Sequence, residues 1–195
     1  MVYTTMDWCR DLSEEIFINH VLYYRINSEN IVDCRRFFYD QLIDRIRRLS
    51  AKEAALEINY WCAENGSYEA SDRRTISPVT LYKSGKGRCG EESTFAVTAF
   101  RSVGIPARQV YTPRWAHCDD NHAWVEVYVD GKWHFLGACE PEEILDKGWF
   151  SSASSRALLV HSRSFSDFMS ERKEGCLGKQ ELLYYYNHTD TYART

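Results

Sequence analysis

The apolar positions of the chain change period part-way along it. Between Ile31 and Leu49 the residues Val32, Phe37, Phe38, Leu42, Ile43, Ile46 and Leu49 recur at helical spacing. Ser50 and Glu53 then form the S-x-x-E pattern of a capping box. It predicts a second helix through Leu56, Ile58 and Trp61 that stops before Gly66. Residues 66–78 are polar and turn-rich and read as a loop. In GKGRCGEESTFAVTAFRSVG, residues 85–104, three glycines surround Arg88-Cys89. Phe95, Val97, Ala99, Phe100 and Val103 then mark a largely buried helix, stopped by Gly104 and Pro106.

Beyond Pro106 the period drops to two. A short strand is expected near 108–111, and residues 122–129 alternate strictly. Asp130-Gly131 supplies a two-residue hairpin turn, and residues 132–136 return. The segment SSASSR after Trp149 reads as a linker, with strand-like pieces at 157–161 and 182–186. An early apolar stretch, 16–26, suits a strand or a docking segment. Helices first, a glycine turn into a buried helix, then antiparallel strands make an α+β protein. The expected division is a helical extension over 1–49, a core over 50–150, and strands over 151–195 that complete or flank it.

Composition narrows the functions. The 195 residues carry a net charge of −4, so no electrostatic footprint for nucleic acid is expected. No stretch is long and apolar enough for a membrane span. The opening MVYTTMDWCRDLSEE lacks the basic start and apolar run of a signal peptide. A cytoplasmic protein is therefore expected, unless the sequence is a piece of a longer, multidomain or secreted chain. Seven cysteines at 9, 34, 62, 89, 118, 139 and 176 form no CxxC pair and suggest mostly free thiols.

Two positions carry candidate chemistry. Cys89 opens the buried helix, where unpaired backbone N–H groups and the helix dipole favour a thiolate and could hold an oxyanion. Glu91 and Glu92 in the first turn oppose that effect. His122 begins the alternating strand and shares a face with Trp124, Glu126 and Tyr128. Ala123, Val125, Val127 and Val129 line the opposite, aliphatic face. The histidine thus starts the more polar face, where it could act as a base for a thiol nucleophile. A zinc site from His117, Cys118, His122, His134 and Cys139 is disfavoured by the spacing, and no phosphate loop is present, so neither metal nor cofactor is expected.

GRCGEESTFAVTAFRSVGIPARQVY followed by NHAWVEVYVDGKWHFLG resembles the transglutaminase-like branch of the papain-like cysteine enzymes. The resemblance implies a nucleophile at Cys89, a base at His122 and an Asp on the next strand. The position where that Asp belongs is Gly137. Pairing outward from Asp130-Gly131 sets Trp124 opposite Gly137 and His122 opposite Cys139, so position 137 lies on the His122 face. A β-bulge at Gly137-Ala138 would bring Glu140 to that face to orient His122 in place of the Asp. The resemblance also makes Trp61 a candidate for oxyanion stabilisation. Arg114, Trp115 and Asn121, on the loop before His122, are candidates for the substrate groove. The implied activity is acyl chemistry on amide bonds of a peptide or protein, hydrolysis rather than cross-linking. The alternative is a binding or scaffold module that kept the fold without turnover.

Overall fold

The computed structural model describes residues 6–70, 75–165, 176–180 and 183–193. Helix α1 (Glu14–Phe17) is capped by Ser13, whose Oγ accepts from the Ile16 N–H at 3.3 Å, and it runs on into a π-turn over Ile18–Leu22. The stretch 16–26 is therefore helical at its start and not a strand. A good cap followed by Glu14 and Glu15 in the first turn outweighs the strand-like apolar content. Helices α2 (Arg35–Ile46) and α3 (Ala51–Asn65) follow, and α3 carries the complete Ser50–Glu53 capping box.

The expected loop over 66–78 holds a two-residue strand β1 (Ser67–Tyr68) and ends at α4 (Pro78–Ser84), a helix absent from the sequence reading. Ser77 caps α4, and Pro78 at its first position costs no hydrogen bond. Strand β2 (Lys86–Gly87) pairs in parallel with β1. Gly87 is required there, because a Cβ would sit 2.8 Å from Leu81 Cδ1 and 2.9 Å from Glu91 Cβ.

Helix α5 (Cys89–Ser102) is the centre of the molecule, with every residue from Glu91 to Ser102 buried. Helices α2, α3 and α4 pack against it, as do β3 (Ala107–Thr112) and β4 (His122–Val129) from the sheet side. Phe38, Leu42 and Ile46 from α2 join Ile58 and Trp61 from α3, Phe95 and Phe100 from α5, and Val125, Val127 and Val129 from β4 in one core. Arg101 is buried within it. Its guanidinium donates to the carbonyls of Ala107 (2.9 Å) and Tyr23 (2.7 Å), which compensates for burying the charge.

Strand β5 (Lys132–Leu136) pairs with β4 in the register anticipated from the Asp130-Gly131 turn, Val125 opposite Leu136 and Val127 opposite His134. The chain then passes through α6 (Ser151–Ser154), β6 (His161–Phe165), β7 (Cys176–Gln180), β8 (Leu183–Asn187) and α7 (Thr189–Tyr192). The six-stranded sheet has the order β5-β4-β3-β6-β8-β7 with antiparallel neighbours throughout. The expected linker SSASSR contains α6, and the strand expected over 157–161 begins only at His161. Ala157 and Val160 are committed to a core of their own, so pairing with β3 starts one residue later, His161 opposite Tyr111. The other expected strand becomes β8, while Leu182 lies outside the described residues.

That further core covers the face of β4 expected to be polar. Trp124, Trp115, Phe135, Phe150, Val160 and Tyr192 pack together on it. The Glu126 carboxylate beneath is satisfied internally. Tyr192 Oη donates to Glu126 Oε1 at 2.6 Å and accepts from Trp124 Nε1 at 2.8 Å, and Arg108 Nε donates to Glu126 Oε2 at 2.6 Å. Tyr192→Phe deletes one hydroxyl and leaves a buried indole N–H and a carboxylate oxygen without that partner. A loss of about 1–3 kcal/mol is expected from the urea unfolding midpoint. An unchanged midpoint would mean that α7 does not hold this face.

Candidate active site

Three elements converge at the N-terminal end of α5. Gln109 on β3 locks the first helical turn from behind, its Nε2 donating to the Gly90 carbonyl at 3.0 Å and to Ser93 Oγ at 2.7 Å. Ser93 in turn donates to the Cys89 carbonyl at 2.6 Å. The Cys89 sulfur is thereby set against the start of β4, where the backbone N–H groups of Ala123 and Gly90 favour its thiolate. Burial opposes them and prevails, and Glu92 adds to it, so the thiol is pushed up from its ordinary value despite Arg88 nearby. The helix start by itself predicted a stabilised thiolate. The low-dielectric surroundings overrule it.

His122 opens β4 and is 8% exposed. Its ring centroid lies 4.7 Å from that of Trp149, 5.1 Å from Phe150, 5.9 Å from Trp124 and 6.1 Å from Trp115. This aromatic box pushes the imidazole pKa down to about 4 by burial, with Asp120 offsetting part of the shift. The Nε2 atom is buried without a hydrogen-bond partner. Among the described residues no hydrogen bond joins His122 to Cys89.

After β5 the chain does not bulge. It reverses in a tight turn over residues 137–140, closed by the Glu140 N–H donating to the Gly137 carbonyl at 3.2 Å, with Cys139 at φ 58°. Asn59 from α3 holds this turn. Its Nδ2 donates to the Gly137 carbonyl at 2.8 Å, and its Oδ1 accepts from the Cys139 N–H at 3.0 Å. The reversal places the Glu140 side chain where a side chain on residue 137 would lie, and a Cβ on Gly137 would collide with Glu140 Oε2. Glu140 thus comes beside position 137 by a turn, not by the expected bulge. Both its oxygens accept from Trp149 Nε1, at 3.0 and 2.9 Å. Burial raises the Glu140 carboxyl, opposed by the indole N–H, and Glu92 beside it is pushed up to about 8 by burial, Glu140 and Glu91.

A model of the transglutaminase-like superfamily matches residues 40–138, just over half of the chain. The chain belongs to that superfamily. The match begins inside α2 and ends in the turn that carries Glu140. Among solved structures this transglutaminase-like protein shares its fold with a candidate cysteine protease from Cytophaga hutchinsonii, at 16% identity and TM-score 0.50, covering 91% of this chain and 64% of that one. It also resembles calcium-bound LapG from Legionella pneumophila, at 19% identity and TM-score 0.51, covering 82% and 88%. The chain spans less than two thirds of the Cytophaga protein. A comparison with curated proteins gave no match.

Within the transglutaminase-like fold, the remaining candidates separate. Trp115 is buried against His122, whereas Arg114 and Asn121 are exposed on the same loop, Arg114 pairing with Asp119 at 3.4 Å. Trp61 lies apart from these residues. It stacks between Tyr82 (5.9 Å) and Phe95 (5.5 Å) in the helical core, because the α3 face that carries Ile58 and Cys62 points there, and it is no part of the aromatic box around His122. Among the described residues no group of three or more His, Cys, Asp or Glu side chains is placed to hold a metal ion. Sequence reasoning missed Asn59 and Trp149. The spacing of Asn59 from Ala55 and Cys62 could have flagged a buried polar residue, while nothing marked Trp149 beyond its place in a Trp-Phe pair.

The buried acid has a measurable consequence. Glu92 keeps its proton in the folded protein up to about pH 8, while in the unfolded chain it ionises near 4.5. Folding stability is therefore lost as pH rises from about 4.5 to 8. On the acid side His122 acts oppositely, with stability lost as pH falls from 6.5 towards 4. Glu92→Gln removes the first limb only. It should be more stable than the parent protein by roughly 1–3 kcal/mol at pH 8, the gap closing towards pH 4.5 in denaturant titrations. Equal stability at pH 8 would show that Glu92 ionises freely.

Proposed function

We propose that this protein is a cysteine hydrolase that cleaves amide bonds in peptide or protein substrates through a Cys89 thioester. The observation that carries the reading is the place of the sulfur at the start of α5, where the Ala123 and Gly90 N–H groups favour its thiolate, one residue along β4 from a buried histidine, in a transglutaminase-like protein. Thiol and imidazole both rest neutral, which suits proton transfer on substrate binding rather than a standing ion pair. His122 takes the Sγ proton as the sulfur bonds to the carbonyl carbon. The negative charge that develops on the carbonyl oxygen is held by backbone N–H groups at the start of α5. Collapse breaks the C–N bond, and the amine leaves with the proton from His122. Water then adds to the thioester, giving its proton to His122, and the acid is released as Cys89 regains a proton. The thiol is half-buried, so water reaches the thioester without a second binding cleft.

Glu140, standing in for the Asp that Gly137 replaces, orients the imidazole in this reading. Trp115 lines the substrate groove, with Arg114 and Asn121 at its exposed rim. The competing reading, a module without turnover, draws support from the unpartnered His122 Nε2 and the Gly at position 137. Trapping with peptidyl electrophiles followed by peptide mapping separates the two. Cys89 should be modified well before the buried Cys34 and Cys62, and Cys89→Ala should abolish turnover with the fold intact. Equal labelling of all three thiols would favour the inert module. His122→Gln should lower turnover by about 10²–10⁴-fold. Gly137→Ala, by pushing the carboxylate off its place, should lower turnover towards the level of Glu140→Gln.

A further inference from the structure

Three observations about one tryptophan stand outside this mechanism. Trp149 Nε1 is the donor held by both Glu140 oxygens, at 3.0 and 2.9 Å. The same indole lies with its centroid 4.7 Å from the His122 ring, whose Nε2 is buried and unpartnered. Yet Trp149 is itself 62% exposed, so little of its own surface is held in the core. A ring nitrogen without a partner and a carboxylate held by the indole N–H thus flank one exposed aromatic ring. A buried ring nitrogen normally finds a hydrogen-bond partner, and with the ring proton on Nε2 the acceptor at hand is the Glu140 carboxylate, which binds the same indole that faces the ring.

We infer that Trp149 is a positioning residue that competes with His122 for the Glu140 carboxylate, holding the acid off the histidine until a bound peptide displaces the indole. The inference rests on the roles proposed above for His122 and Glu140. Trp149 sits on a short turn, with the Gly148 N–H donating to Ser151 Oγ at 3.1 Å and the Ser151 N–H to the Gly148 carbonyl at 3.1 Å, so its side chain swings from a fixed base. Trp115 stands 6.3 Å from Trp149 and 6.1 Å from the His122 ring, so the two indoles meet edge to face beside the imidazole, the buried Trp115 behind the exposed Trp149. Displacement frees both carboxylate oxygens at once. One then accepts from His122, which fixes the ring and strengthens it as a base. The charged group that acts on the imidazole is Asp120, from the loop before β4, while from α5 Glu92 faces Glu140 and Cys89.

Trp149→Phe keeps an aromatic ring and removes the N–H. NMR titration of His122 in the full chain should show its proton affinity raised about tenfold or more in this variant, and returned to the parent value in Trp149→Phe/Glu140→Gln. Iodoacetamide modification of Cys89 at pH 7 should accelerate by a similar factor in the single variant only. In the parent protein, the Trp149 indole N–H resonance should shift on modification of Cys89 by a peptidyl electrophile. An unmoved His122 titration in Trp149→Phe, or an equal shift in the double variant, would overturn the competition. If Cys89 proves inert throughout while His122 still titrates as expected, the competition stands and the proposed hydrolysis falls.

Discussion

Everything at the candidate site depends on the burial of one helix. Helix α5 is enclosed by α2, α3 and α4 on one side and by the sheet on the other, so its first turn has a single possible position. Gln109 and Ser93 satisfy backbone groups of that turn and so fix the Cys89 backbone at the helix start, where the Ala123 N–H favours the thiolate. Burial on this scale contributes strongly to the core, at about 25 cal/mol per Å² of apolar surface. It also removes water from the groups beside the sulfur. The stabilising enclosure and the unusual titration of the site have the same origin.

The titration pattern follows from that enclosure. Burial moves each group towards its neutral form: the Cys89 thiol and the Glu92 and Glu140 carboxyls upward, His122 downward. The opposing influences are local: two backbone N–H groups and Arg88 on the sulfur, the Trp149 indole on Glu140 and Asp120 on His122. In such surroundings the arrival of a substrate dipole, or of a newly freed carboxylate, shifts proton equilibria far more than it would in water.

The turn at residues 137–140 shows how a glycine can make room for a side chain that is distant by register. With Gly at 137 there is room for a carboxylate three residues later to fold back into the vacant space, and Asn59 pins the turn that makes this possible. A larger residue at 137 and Glu140 in its present place exclude one another. The two positions therefore act as one unit, joined through a buried asparagine on a helix far away in sequence.

Much of this architecture was legible in the sequence because it is set by short-range rules. The capping box at Ser50, the glycine-flanked start of α5, the alternation after His122 and the Asp130-Gly131 turn each act within a few residues, and α3, α5, β4, β5 and their register follow from them. The placements of Cys89 at a helix start and of His122 at a strand start belong to this class. What only the tertiary structure decided are quantities that depend on distant neighbours. Alternation gave the two faces of β4 but not that the second is sealed by α7 and by residues near Phe150. Helical spacing put Trp61 on α3, yet its partners Tyr82 and Phe95 made it core. Unbroken register would have turned Glu140 away, and the turn pinned by Asn59 brought it back. The direction of the Cys89 shift could not be read from the helix dipole, since the desolvation that outweighs it comes from the packing of the whole chain around α5.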